Sequence, residues 1–496
     1  MRDPSSEAGT SPVGTQARPM AGDASALRTF AVSIGICWAI LFLVLSARYQ
    51  LQLYGDGALF SYALAVQETW SFHWHNISGR ILVYLLTLKP AEAYVALTGN
   101  PEGGIAIYGL LFYCAPLASL AATYALDTSE KRTFFVFACV STAVLLPLVF
   151  GFPTEMWFAH AVFWPLLAYC HLAPVNRGSR LAAAAGFAAL FLTHGGGIAF
   201  AIAIVATLAL RGPADAAFRR AALAFAIGIV CLLLTQFAVR PDPYFADAVK
   251  GAALNFIDAR NLTFPVMRVL AAAIAAYVVL ALGLRALGQS NAHMKAAGIT
   301  AVALAIYWAR FDQDLLAEQR YPLRTALLVF TPLLAAGAAI RVLDAKGAIR
   351  LQLPLLQPLV AVVTRNPPYR LLAGALMLVT LVHAVETAKF VVGWSDYKQA
   401  VRDLAMSETS NPEMGSPYFT SATRLGEARN QLSWGSTTHF LSVVLAPGLL
   451  PRKLVVDPDT NYFWLTCPLA TANMLAKRAV PEPSRRLIRT HACVHR

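Results

Sequence analysis

The sequence predicts an all-α polytopic membrane protein, with about eleven transmembrane helices, surface helices in the first outer loop and a small α+β extracytoplasmic domain at the C-terminus. Three observations carry this expectation. Of the 496 residues, 57% are hydrophobic and only 14% are charged, and the mean hydropathy is +0.55, too apolar for ordinary soluble domains. The apolar residues fall into blocks of roughly 15–22, the length a helix needs to cross hydrocarbon, separated by short charged or Pro/Gly-rich pieces. Alternating ten-residue strands of the kind that close a membrane barrel are absent from the sequence.

Residues 1–28 are rich in Ser, Gly, Ala and Pro and lack the features of a secretory signal, so they read as a disordered cytoplasmic tail. Residues 29–392 form the expected transmembrane domain. Its first span, 29–47, follows Arg2, Arg18 and Arg28, and the positive-inside tendency then keeps the N-terminus in the cytoplasm. The long loop 48–104 lies outside, with surface helices expected at 58–68 and 79–95. Further spans are expected at 105–126, 133–150 and 157–173. The stretch 181–210 is too long for one crossing and is interrupted by Thr193-His194-Gly195-Gly196-Gly197. A hairpin of two short, tilted helices turning at His194 keeps Arg211, Arg219 and Arg220 inside, whereas a single pass would export them. Later spans follow at 221–239, 266–284, 296–309, 323–340 and 371–392, and the odd count leaves the C-terminus outside. Residues 393–496 change to a mixed polar texture, as in a small domain, with a first helix at 396–406 and short strands and turns over 441–456.

The net charge of +13 is spread over loops rather than gathered on one face. It therefore reads as topology determinants and anionic-lipid contacts, not as a nucleic-acid surface. Cys37, Cys114, Cys139, Cys170 and Cys231 lie in apolar segments without metal or redox spacing. Cys467 and Cys493 lie in the polar C-terminal part, where an oxidising compartment would permit a disulfide.

Ionisable groups at a membrane mouth are candidates for chemistry, because partial desolvation shifts their pKa values. Asp56, within Gly55-Asp56-Gly57, is the first. Its neighbouring glycines permit close backbone approach to a ligand, and its carboxylate suits a general base, a metal ligand or, alternatively, the cap of the apolar helix that follows. Glu155, in the short outer loop before residue 157, is the second; it suits a base, a metal ligand or a first-turn partner for the helix dipole. His160, one turn further on, is a weaker partner. Basic residues placed outside against the usual statistics form the third group: Arg80, Lys89, Arg240, Lys250, Arg260, Arg310 and Arg320. A phosphate or diphosphate headgroup matches guanidinium bidentately, and pairing with nearby carboxylates is the alternative. His73, His75 and His194 also fall outside. Zinc binding there competes with an aromatic-belt reading of His73-Trp74-His75.

The first span with its N-terminus inside, Asp56 in a long first outer loop, the acidic second outer loop, the mid-chain hairpin and the outer C-terminal part together resemble the GT-C superfamily of integral membrane glycosyltransferases. The resemblance implies sugar transfer from a polyprenyl-phosphate or polyprenyl-diphosphate donor to a glycan, lipid or protein acceptor at the outer face of a bacterial inner membrane. It also implies that Asp56 and Glu155 are the catalytic carboxylates and that basic residues at the outer mouth (Arg80, Arg260, Arg310 or Arg320, with His194) bind phosphate. A divalent cation, Mg or Mn, bridges carboxylates and phosphate in some relatives, and grooves between spans would hold the prenyl tail. Two other classes compete: a transporter or flippase for a lipid-linked anion, and a non-catalytic assembly factor. Charges concentrated at span ends favour surface chemistry over translocation.

Overall fold

A computed structural model of the chain describes residues 21–65, 67, 69–70, 80–238, 263–311, 320–351, 356–364, 368–408, 419–426, 429, 432 and 434–457. Those residues are overwhelmingly helical. We label the main helices α1 (Ala21–Tyr49), α2 (Asp56–Ala65), α3 (Ile81–Thr98), α4 (Pro101–Leu126), α5 (Thr133–Leu148), α6 (Met156–Leu172), α7 (Arg177–Phe191) and α8 (Gly197–Ala209). The second half holds α9 (Ala216–Ala238), α10 (Pro265–Ala286), α11 (Ala292–Arg310), α12 (Thr325–Ala345), α13 (Leu356–Thr364), α14 (Tyr369–Met406) and α15 (Thr438–Leu445). Among the described residues the only sheet is two short parallel strands, β1 (Phe419–Ser421) and β2 (Leu454–Val456), with Phe419 opposite Leu454.

Seven of these helices are long and apolar enough to cross a membrane: α1, α3, α4, α9, α10, α12 and α14, with α5 and α8 as shorter apolar helices. The protein is an all-α, multi-pass membrane protein whose solvent is the lipid bilayer. Large apolar side chains such as Val44, Leu110, Leu234, Val279 and Leu333 face outward along these helices, as a helix surrounded by lipid requires. Between the helices the packing is dense: α1 lies against α5, α4 and α14, α4 against α6, and α9 against α7.

The expected break near His194 is present. Helices α7 and α8 are 15 and 13 residues long and meet at residues 192–196, so at 1.5 Å per residue they reach only about 22 and 20 Å. The far end of this hairpin carries the arginines. Arg220 donates to the carbonyls of Cys170, Ala173 and Pro174, and Arg211 reaches that of His171. These carbonyls form the C-terminal end of α6, where cations complement the helix dipole. Glu155 stands at the opposite end of α6, so the arginines lie away from the end of the bundle that holds Glu155.

Helix α3 differs from a simple crossing. It begins beside Arg80, where Leu82 N–H bonds to Leu192 O on the hairpin tip at 3.1 Å. It ends next to the first turn of α4, and Glu102 in that turn lines a cavity shared with Ser46, Ala47 and Gln50 at the end of α1. It thus begins at the hairpin tip and ends beside the last residues of α1, although its length and apolarity would suit a span.

The chain after Gly393 departs from the sequence expectation. Helix α14 runs without interruption from Tyr369 to Met406, so the change in composition at Gly393 marks the end of the apolar stretch rather than the end of the helix. Its polar extension caps α1: Trp394 Nε1 and Lys398 Nζ donate to Tyr49 O at 3.1 and 2.7 Å. Within 441–456, Thr438–Leu445 is a helix and only Leu454–Val456 a strand. Helix α15 packs directly on α2, with Tyr62 and Phe440 rings 5.0 Å apart. Cys467 and Cys493 lie outside the described residues.

One charged pair is fully enclosed. Arg320 Nη2 bonds to Glu386 Oε2 at 2.5 Å, with side-chain exposures of 0% and 1%. The guanidinium also lies 3.8 Å over the Phe150 ring, which stacks on Phe390 at 4.2 Å. Breaking a buried pair strands a charge, at a cost of about 3–5 kcal/mol. Glu386→Ala is thus expected to lower the unfolding midpoint in detergent markedly, whereas Arg320→Met combined with Glu386→Leu recovers most of the loss; unchanged melting of the single variant would refute this role.

Candidate functional site

Five stretches distant in sequence converge at one end of the bundle. Asp56 begins α2 immediately after a turn in which Gly55 adopts φ +59°. A methyl group on Gly55 would lie 2.1 Å from the Phe152 ring, and one on Gly57 would lie 1.8 Å from the Gln52 carbonyl oxygen. The two glycines thus let the backbone approach other parts of the protein, not only a ligand. The Gly57 and Ala58 amides bond to the carbonyls of Tyr54 and Gly55, and among the described residues the buried Asp56 Oδ1 accepts no hydrogen bond. A capping role does not account for that side chain.

Glu155 precedes α6 in a loop braced by Tyr113, whose hydroxyl donates to Gly151 O at 2.8 Å, and by Phe152, packed between Tyr54 and Trp434. Its Oε2 accepts from Arg80 Nη1 at 2.7 Å, while the buried Oε1 has no partner among the described residues. Arg80 stands before α3. His194 sits at the hairpin tip, and its Nδ1 accepts the Gly196 N–H at 2.8 Å. The neutral ring therefore carries its proton on Nε2. Arg324 ends the single turn Tyr321–Arg324 that leads into α12, and the buried Arg320–Glu386 pair anchors the start of that turn.

Electrostatics binds the five residues into one unit. Burial pushes the Asp56 carboxyl up to about 7, with Glu155 adding to the rise and Arg324 and Arg80 opposing it. Burial, with Arg80 and Arg324 nearby, holds the half-buried His194 ring well below its ordinary pKa, so it is neutral. The buried Tyr108 hydroxyl on α4 lies close enough to feel both carboxylates. An ionised carboxylate, two guanidiniums, a neutral imidazole N–H and a phenol can together accept a proton and bind an anion. A cavity of about 550 Å³ between α4, α6 and α7, lined by Leu86, Ala115, Ser119, Phe158, Pro165 and Gly186, begins within a turn of Glu155.

Of the residues singled out from sequence, Asp56, Glu155, Arg80 and His194 meet here. Arg320 is turned to Glu386, and Arg310 is exposed at the end of α11. Lys89 pairs with Glu92 at 3.4 Å. His160 is core: its Nε2 meets Ser141 Oγ at 2.8 Å and Trp164 Nε1 at 3.1 Å. Arg240, Lys250, Arg260, His73 and His75 lie outside the described residues. Sequence reasoning missed Arg324 and Tyr108. Arg324 is four residues beyond Arg320, a spacing that offers a second guanidinium one turn on, whereas Tyr108 sits in an apolar span with no local signal. Among the described residues no group of three or more His, Cys, Asp or Glu is placed to hold a metal alone. No protein-family model and no curated protein matches the chain.

The glycine geometry makes a direct prediction. Gly57→Ala drives its methyl into a backbone carbonyl and should cost about 1–3 kcal/mol by overpacking, with loss of amide-exchange protection across 52–60. A variant that melts and exchanges like the parent would show that the close approach does not hold the Asp56 turn.

Proposed function

We propose that this protein is a membrane-embedded glycosyltransferase of the GT-C type, moving a sugar from a polyprenyl-phosphate-linked donor to an extracytoplasmic acceptor. The observation that carries the reading is the cluster itself: a buried carboxyl group poised near neutral pH beside two guanidiniums, at the end of a lipid-embedded helical bundle. A base is most useful when its pKa is close to the working pH. A lipid phosphate is the leaving group that such a cationic, partly desolvated mouth accommodates.

In this reading Asp56 removes the acceptor hydroxyl proton as that oxygen bonds to the anomeric carbon. The bond from that carbon to the phosphate oxygen breaks, and its electron pair leaves on the phosphate. Arg80, Arg324 and His194 Nε2–H face the charge that grows there. Arg80 is shared with Glu155 beforehand, so phosphate binding redistributes an existing ion pair and does not have to neutralise a bare cation. Asp56 Oδ1 and Glu155 Oε1, without hydrogen-bond partners among the described residues, would hold a divalent cation, which would supply charge neutralisation at the mouth. The apolar cavity beside Glu155 suits the prenyl tail.

The same reading orients the chain with its N-terminus in the cytoplasm of a bacterial cell and the cluster facing outward from the inner membrane. Eleven crossings result if α1, α4 to α12 and α14 span and α3 lies along the surface. The arginines at the far end of α6 support this orientation through the positive-inside tendency.

Transfer from prenyl-phosphate sugars by purified protein tests the proposal. Asp56→Asn should reduce turnover by about 10²–10⁴-fold, the range for a lost general base, while leaving donor binding in place; equal turnover by both proteins would reject Asp56 as the base. Because the base works only when ionised, turnover by the parent should rise with pH through a midpoint near 7 and level off above it. Arg324→Gln should weaken donor binding and, by removing a cation that holds the Asp56 carboxyl down, move that midpoint to higher pH. A flat profile between pH 5 and 9 would contradict the assignment.

A further inference from the structure

A second cavity, of about 710 Å³, lies at the same end of the bundle between the last turn of α1, the first turns of α4, the extension of α14 and the segment after α15. From its chemistry we infer that it is a binding site for a zwitterionic phospholipid, whose phosphate faces Arg402, whose ammonium faces Glu102, and whose acyl chains run along Leu43, Ile107 and Leu110.

The site is built rather than incidental. Gln52 and Ser46 line it and are only 3% and 2% exposed. Ser46 Oγ donates to Gln52 Oε1 at 2.9 Å, which fixes the amide with Nε2 towards the cavity. Among the described residues that Nε2 has no hydrogen-bond acceptor, which leaves a donor for a ligand. Gln52 is also held from both sides: a methyl on Gly109 would come within 2.7 Å of its side-chain carbon, and its own carbonyl presses on Gly57. Gln50 lies on the floor with a left-handed backbone, φ 54°, and its Oε1 accepts from Lys398 Nζ at 3.1 Å.

Charge and depth select the ligand. Glu102 and Arg402 both line the cavity, yet among the described residues neither forms an ion pair, with the other or with a third group. A purely anionic headgroup would satisfy Arg402 but face Glu102, whereas a headgroup carrying both signs satisfies both. Leu43 and Leu110 belong to membrane-crossing helices, and Leu110 is 51% exposed on the lipid side. The cavity therefore opens sideways at the level where headgroup meets acyl chain, and its volume is that of an ordinary ligand site. A primary ammonium, able to donate hydrogen bonds to Glu102, points to phosphatidylethanolamine. This binding requires nothing of the chemistry at Asp56.

Native mass spectrometry of the purified full-length protein, incubated with equal amounts of phosphatidylethanolamine and phosphatidylglycerol, tests the assignment. The parent should retain phosphatidylethanolamine over phosphatidylglycerol by about fivefold or more. Glu102→Gln should lower phosphatidylethanolamine retention by about tenfold without lowering phosphatidylglycerol, and Arg402→Gln should weaken both lipids. Both residues are exposed and unpaired, so these variants should melt like the parent, and Gln52→Leu supplies a third, uncharged probe that also lowers retention. Equal retention of the two lipids by the parent, or phosphatidylethanolamine retention indifferent to both charge substitutions, would overturn the inference.

Discussion

Taking charge out of water is the constraint around which this protein is arranged. At the mouth of the bundle the Asp56 and Glu155 carboxyl groups are almost wholly covered, where an isolated charge is costly. Arg80 is bonded to one and close to the other, Arg324 is close to Asp56, and the imidazole between the guanidiniums remains neutral. The balance leaves Asp56 between its two protonation states near neutral pH, which is the property a base needs and a structural carboxylate does not. Ordinary packing holds the arrangement: two glycines admit Phe152 and the Gln52 carbonyl, Tyr113 braces Gly151, and Trp434 covers Phe152.

The same accounting of charge organises the bundle away from the mouth. Helix α6 has Glu155 at its positive end and Arg220 at its negative end, each of the sign that the helix dipole favours. Arg320 and Glu386 neutralise one another in the interior and fix the approach to α12, so that Arg324, four residues later, reaches the cluster. A guanidinium expected from sequence to bind phosphate thus serves as the anchor of another that joins the Asp56 cluster.

The multi-pass, all-α character was legible because apolar run length is a local property that the bilayer reads directly. The hairpin at His194 is a good instance: thirty apolar residues split by glycines, with arginines that had to stay on one side. Asp56, Glu155, Arg80 and His194 could be proposed because charge near a span end stands out against an apolar background. Which arginine meets which carboxylate was not legible, since Arg320 and Arg324 carry the same charge one turn apart and only tertiary packing buries the first against Glu386. The continuation of α14 past Gly393 was hidden for a related reason. Composition reports where lipid stops, and a helix need not stop with it. Glycines that suggested ligand approach in sequence turned out to admit Phe152 and a backbone carbonyl, a distinction that needs three dimensions.

The half-length helices α7 and α8 have a consequence for the surrounding bilayer. At roughly 22 and 20 Å they are shorter than a hydrocarbon layer of about 30 Å, so where this hairpin meets lipid the bilayer thins or admits water to reach its tip. On the proposed function, a dimple beside His194 would let a bulky polar headgroup slide laterally to the cationic mouth along a shallow slope, without first rising clear of the leaflet in which it is dissolved.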